Sequence, residues 1–177
     1  MISPQFRAHL AKPARTAVVI WGAFLASPLL YAAVSFLVAS QRPVPPATPS
    51  FALPALAALA VAALAGGVFT WRISFTDAAL RQAPRAATAI TPAPAVPAAA
   101  TPREQKLCAV ATYGQTRCVI AWACFESAGL FGVLLVLLGH PPQRALPFLA
   151  AAFAAIALHG PRLLELVERA DALLPRD

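Results

Sequence analysis

Apolar residues gather into four blocks along this chain, and charged residues lie almost wholly between the blocks. The first block, residues 17–39, holds about 23 residues without a charge. At ~1.5 Å rise per residue that is enough to cross a hydrocarbon layer of ~30 Å. Pro28 lies in its middle, a position membrane helices tolerate when a neighbour covers the freed carbonyl. Arg7, Lys12 and Arg15 precede the block, as in a signal peptide, but the apolar run is too long for one, so an uncleaved helix is expected. The second block covers 51–71, the third 118–138 and the fourth, shorter, 145–160. Arg144 and Arg162 flank the fourth block and could snorkel from its ends; a re-entrant segment is the alternative. The pattern predicts an all-α, polytopic membrane protein with four transmembrane helices arranged as two hairpins.

The intervening segments divide the rest: a basic N-terminus at 1–16, a first hairpin at 17–71, a linker at 72–117, a second hairpin at 118–160 and a tail at 161–177. A proline-rich turn at 41–50 closes the first hairpin. The centre of the linker, 84–102, is alanine, proline and threonine with almost no large apolar residue. Such a composition predicts a disordered cytoplasmic segment, because little surface is available to bury. In the tail, Leu163, Leu166, Val167, Ala170 and Leu173 recur at helical spacing, and Glu165 stands four residues before Arg169. An amphipathic helix is expected there, on the membrane surface or against the bundle, with Pro161 in its first turn.

Small residues suggest how the helices meet. Ala58, Ala62 and Gly66 recur every four residues in the second block, and Ala63 pairs with Gly67 in the same way, a spacing that lets backbones approach closely in lipid. Packing within one chain is the expected use. In the third block Ala123, Gly129 and Gly132 are the matching small positions.

Charge supplies the orientation. The chain of 177 residues is 59% apolar and only 12% charged, with a net charge of +7. A soluble domain is nearer 25% charged. With the N-terminus inside, twelve basic residues fall on the cytoplasmic side, and only Arg42 and Arg144 fall outside. This asymmetry predicts both termini in the cytoplasm and accounts for the positive charge with the lipid bilayer as partner and no nucleic acid. Abundant alanine, arginine and proline beside scarce lysine suggest GC-rich codons, hence a bacterial inner membrane. Cys108, Cys118 and Cys124 form no CxxC, so neither a disulfide framework nor a zinc site is expected.

Glu126 is the one ionisable residue well inside a block, ninth in a run of about 21. A charged side chain at that depth costs on the order of 3 kcal/mol. A neutral carboxyl, a hydrogen-bonding partner or a water-filled pocket would relieve the cost. Ser127 follows directly and can donate a hydrogen bond. No lysine or arginine lies within a block to pair with it, and His140 and His159 fall near opposite helix ends. Two readings stand. Glu126 carries a proton or ion, or it hydrogen-bonds across helices and orients the bundle.

The stretch Arg117-Cys-Val-Ile-Ala-Trp-Ala-Cys-Phe-Glu126-Ser-Ala-Gly-Leu-Phe-Gly132 resembles the carboxylate helix of ATP synthase subunit c proteolipids. There a basic residue precedes the helix, the acid lies mid-membrane and a glycine often follows six positions on. Arg81-Gln82-Ala83-Pro84 is similar to that family's Arg-Gln-Pro loop. The resemblance implies that Glu126 binds and releases a proton within a homo-oligomeric ring. The chain departs from it in a glycine-poor preceding helix, a long connecting segment and no glutamine in the second block. A broader resemblance is to uncharacterised small four-helix bacterial membrane proteins, carried by Trp21-Gly-Ala-Phe-Leu-Ala-Ser-Pro-Leu-Leu-Tyr31, Ala123-Cys-Phe-Glu126 and Gly160-Pro161-Arg162. It implies topology rather than an activity. A shift of 101 residues also superposes Trp21 on Trp122, Phe24 on Phe125 and Leu29 on Leu130, as duplicated hairpins would.

No nucleophile–base set, phosphate loop or metal-ligand spacing appears in the sequence, so neither a cofactor nor an enzyme is expected. The expected role is a non-enzymatic membrane component, structural or accessory, with a homo-oligomer or another membrane protein as partner. The alternative is a proteolipid-like proton carrier.

Overall fold

A computed structural model describes residues 4–41, 50–90 and 100–174. They form α1 (Pro4–Ser40), α2 (Ala52–Ser74), α3 (Asp77–Ile90), α4 (Pro102–Leu137), a short 3-10 turn (Pro142–Arg144), α5 (Leu146–Leu158) and α6 (Leu163–Leu173), with no strand among the described residues. Helices α1, α2 and α4 are long and apolar enough to cross a membrane. Four crossings result if Pro142–Leu158 and Leu163–Leu173, bent by 46°, count as one span. The fourth block is therefore shorter than a full span: α5 has 13 residues, about 20 Å at the helical rise. The proline-rich turn expected at 41–50 lies largely outside the described residues.

The chain divides into two compact units. The first comprises 1–20, 70–119 and 161–177. Its core joins Phe6 and Leu10 of α1, Leu80 and Ala83 of α3, Leu107 and Val110 of α4, and Leu163, Val167 and Ala170 of α6. The expected linker is thus mostly helix where it is described; of its centre, 84–102, residues 91–99 lie outside the described residues. Two local signals overcame the poor composition. Thr76 caps α3, its Oγ1 accepting from the Ala79 amide at 3.2 Å. Thr101 and Glu104 exchange bonds at the start of α4: the Glu104 amide donates to Thr101 Oγ1 at 3.2 Å, and the Thr101 amide donates to Glu104 Oε2 at 3.0 Å. That reciprocal pair, with Pro102 at the first helical position, satisfies amides that a helix start leaves open. Leu80 and Ala83 then find the apolar partners that their own segment lacks.

The basic N-terminus is likewise no separate tail. It belongs to α1 and buries Phe6 and Leu10 at 2% and 3% exposure. The tail forms the expected amphipathic helix, with Leu163, Val167 and Ala170 buried. Its Glu165–Arg169 pair does not form; Arg169 instead donates to Asp77 Oδ1 at 2.5 Å and to the Phe75 carbonyl at 3.3 Å. Arg103 holds the end of α6, donating from Nε to Asp171 Oδ1 at 2.7 Å and from a terminal nitrogen to the Asp171 carbonyl at 2.6 Å. One guanidinium thereby neutralises an acid and satisfies a carbonyl that the helix end leaves unpaired.

The second unit comprises 21–69 and 120–160. Ala60, Ala128 and Ala152 meet in one cluster, with Leu64, Phe131 and Phe148 around them. Val136, Ala145 and Leu149 form another, against Tyr31, Ala32 and Ala39. Large apolar side chains point outward: Leu29 is 64% exposed, Val61 66%, Phe69 64% and Leu158 75%. Such a surface is unfavourable in water and neutral in lipid, where close packing holds helices together. Helix α4 ends in a Schellman motif. The His140 amide bonds the Leu135 carbonyl at 3.1 Å, the Gly139 amide bonds the Val136 carbonyl at 3.0 Å, and Gly139 takes φ 94°, a conformation glycine adopts without strain.

Of the two small-residue rows on α2, Ala58–Ala62–Gly66 does not pack, whereas Gly67 of the other does. Ala58 and Ala62 are exposed, and a side chain added at Gly66 would meet nothing within 4 Å. The packed line is Ala60, the partly buried Leu64 and Gly67. A Cβ on Gly67 would collide with the Phe125 ring and approach the Ala121 carbonyl at 3.1 Å. Alanine covers several sides of this helix, so small size did not single out a face; the bulk of Phe125 on α4 did. Ala123 is also exposed, whereas Gly129 and Gly132 do pack. Their added Cβ atoms would stand 3.4 Å from Ala152 Cβ and 2.9 Å from Phe148 Cβ respectively.

Candidate functional site

Glu126 lies on the third apolar run, half-buried, within the second unit. Its partner is Tyr31 of α1, whose hydroxyl donates to Glu126 Oε1 at 2.7 Å. Ser127 does not serve as donor to the acid, because its hydroxyl bonds the Ala123 carbonyl of its own helix at 2.8 Å. A serine in a helix readily bonds the carbonyl four residues back, so adjacency in sequence was a poor guide.

The route by which Tyr31 reaches Glu126 begins at Pro28. Proline lacks an amide hydrogen, so the carbonyl of Phe24, four residues earlier, loses its helical donor. The Ser27 hydroxyl takes that place, donating to Phe24 O at 2.9 Å. Helix α1 continues without a break, and Tyr31 follows one turn later. On the facing helix, Gly129 stands one turn beyond Glu126. A Cβ built there lies 3.8 Å from the Tyr31 ring, so a larger residue would press on the phenol. Proline, serine and glycine together leave the hydroxyl within reach of the acid.

Below the acid, Trp122 and Phe125 are fully buried. Trp122 packs near Phe24, with ring centroids 6.1 Å apart, and Phe125 near His159 at 5.0 Å. The two tryptophans matched by the 101-residue shift do related work. Trp21 Nε1 donates to the Ile156 carbonyl at 2.9 Å, and Trp122 Nε1 donates to the His159 carbonyl at 2.7 Å. His159 Nδ1 lies 2.7 Å from the Ala155 carbonyl. The last carbonyls of a helix have no partners within it, and in lipid an unsatisfied one costs several kcal/mol. Indole donors on α1 and α4 therefore let the short helix α5 end in apolar surroundings. His140, at the far end of α4, accepts at Nδ1 from Arg144 at 3.0 Å.

The chemistry available at Glu126 is hydrogen bonding and proton exchange. The Tyr31 hydroxyl, having one hydrogen, spends it on Oε1 and leaves Oε2 for another donor. No cluster of three or more histidine, cysteine or acidic residues able to hold a metal occurs among the described residues. The sequence signal for Tyr31 is slight: a phenol hydroxyl in an uncharged block that also holds Ser27 and Ser35. No protein-family model, curated protein or solved structure matches the chain.

Proposed function

We propose that this chain is a multi-pass membrane protein without catalytic activity, a structural or accessory component whose Tyr31–Glu126 bond joins the first and third apolar helices. The single observation behind this reading is the 2.7 Å bond from Tyr31 to Glu126, a contact between distant parts of the chain. Interhelical hydrogen bonds in membranes contribute about 0.6 kcal/mol on average and up to roughly 1.7. Their directionality selects one rotation of each helix where apolar surface cannot. The two basic-poor turns and the arginine-rich remainder support an orientation with both termini in the cytoplasm of a bacterium, and α5 with its flanks supplies the fourth crossing. The resemblance to small four-helix bacterial membrane proteins agrees with that topology.

A second reading is kept by one feature: Glu126 is half-buried rather than enclosed, as a proton-carrying acid must be. Purified protein in liposomes with an imposed pH gradient separates the two. The structural reading expects no proton flux, normal assembly of Glu126→Gln and loss of thermal stability in Tyr31→Phe. Flux through a homo-oligomer that Glu126→Gln abolishes would replace it with the carrier reading.

A further inference from the structure

Within the first unit, a cleft of about 240 Å³ opens beside α6, lined by Trp71, Phe75, Cys118, Arg162, Glu165 and Arg169. Ligand pockets for drug-sized molecules are roughly 300–1,000 Å³, so this one suits a small group. Its apolar wall is an edge-to-face pair, Trp71 and Phe75, with centroids 4.7 Å apart. Gly114 lies against Leu166, and a Cβ there would collide with that leucine; the glycine lets α6 lie close enough to form the cleft's wall.

The charges around it are mixed. Arg169 is held by Asp77 and the Phe75 carbonyl. The side chains of Arg162 and Glu165 are exposed and pair with no other described residue. Asp77, beyond the lining, offsets Arg169, which leaves one guanidinium, Arg162, and one carboxylate, Glu165, facing the cleft, and that pairing fits a zwitterion better than a net anion. Arginine suits a phosphate oxygen through its planar set of donors, and a carboxylate suits a primary ammonium, which has hydrogens to donate. Depth points the same way. Trp71 stands near the end of the apolar run of α2 and Cys118 at the start of that of α4, and tryptophan is enriched where lipid headgroups begin.

We infer that this cleft binds the phosphoethanolamine headgroup of a membrane phospholipid, with Arg162 on the phosphate and Glu165 on the ammonium. The inference rests on the reading that α2 and α4 cross a membrane.

Native mass spectrometry of the full-length protein in detergent, with phosphatidylethanolamine, phosphatidylcholine and phosphatidylglycerol of matched chains, tests it. Phosphatidylethanolamine should be retained at least fivefold better than either other lipid. Arg162→Gln should lower its retention at least fivefold. Glu165→Gln should remove the preference over phosphatidylcholine, whose quaternary ammonium has no hydrogen to donate. Equal retention of the three lipids overturns the inference, as does better retention of phosphatidylglycerol. Retention unchanged by Arg162→Gln overturns it too, with Arg7→Gln as the control for a loss of surface charge. Competition by soluble O-phosphoethanolamine at the lipid's own concentration would overturn a lipid ligand. Carbonate extraction distinguishes the underlying reading: release of the protein from membranes overturns the membrane crossing, whereas retention without headgroup preference overturns this site alone.

Discussion

The two units of this chain solve the same problem by different means. In the first, helices are amphipathic, their apolar faces meet in one core, and polar groups secure their ends: Thr101 with Glu104, Arg103 with Asp171, Arg169 with Asp77. In the second, apolar residues face both inward and outward, contacts are made by alanine and glycine, and few polar bonds run between helices. The difference follows from the solvent each surface suits. Against water, burial of apolar area drives association and exposed charge costs little. Against lipid, burial gains nothing by itself, so close approach and a handful of hydrogen bonds must select the arrangement. Tyr31–Glu126 and the two indole–carbonyl bonds are that handful.

The comparison can be broken most sharply at Gly67. Gly67→Val should destabilise the protein in detergent by about 3 kcal/mol, the upper end of the usual cost of overpacking a filled site, read as a lower melting temperature. Its neighbour change Gly66→Val should shift stability by under ~0.5 kcal/mol, as a surface substitution does. Equal effects would mean that α2 packs through another face. Next in size, Trp122→Phe should cost about 1–2 kcal/mol, because the part-buried carbonyl of His159 loses the indole donor. In the first unit, Thr101→Ala should cost about 1 kcal/mol by opening the start of α4; no change there would return that segment to the disordered linker its composition suggests. The smallest stability effect is expected at Arg7, whose 3.7 Å pair with Glu168 joins side chains 70% and 62% exposed. Arg7→Gln should change the melting point hardly at all.

Cys108 offers a chemical probe of the first unit. Its thiol is pushed above its usual range, first by burial and then by the nearby Glu104 carboxylate. A raised thiol value means less thiolate at a given pH, and thiolate is the reactive form. Alkylation of Cys108 at neutral pH should therefore be slow in the folded protein and fast after denaturation. Rapid labelling without denaturant would mean that the core around it opens readily.

Legibility in the sequence was uneven. The four apolar blocks located α1, α2, α4 and α5, and the spacing of Leu163, Val167 and Ala170 marked the buried face of α6. Thr76 and Thr101 are capping residues by type, but the alanine and proline between them read as disorder, because a cap acts on one helix turn and composition on a whole segment. Glu126 stood out as a lone acid. Tyr31 does not stand out, because tyrosine is ordinary in an apolar run and its partner lies 95 residues away.

The sequence by itself determined where the chain is apolar, for how long, and which acid lies among those residues; these are properties of consecutive positions. Only the tertiary structure decided that α2 packs through Ala60 and Gly67 rather than Ala58, Ala62 and Gly66, and that Tyr31 rather than Ser127 answers Glu126. The physical reason is that a helix suited to lipid is apolar on every side. Its pattern carries no contrast between packed and exposed faces, so the choice is made by shape, by one proline, a few glycines and the rings they meet.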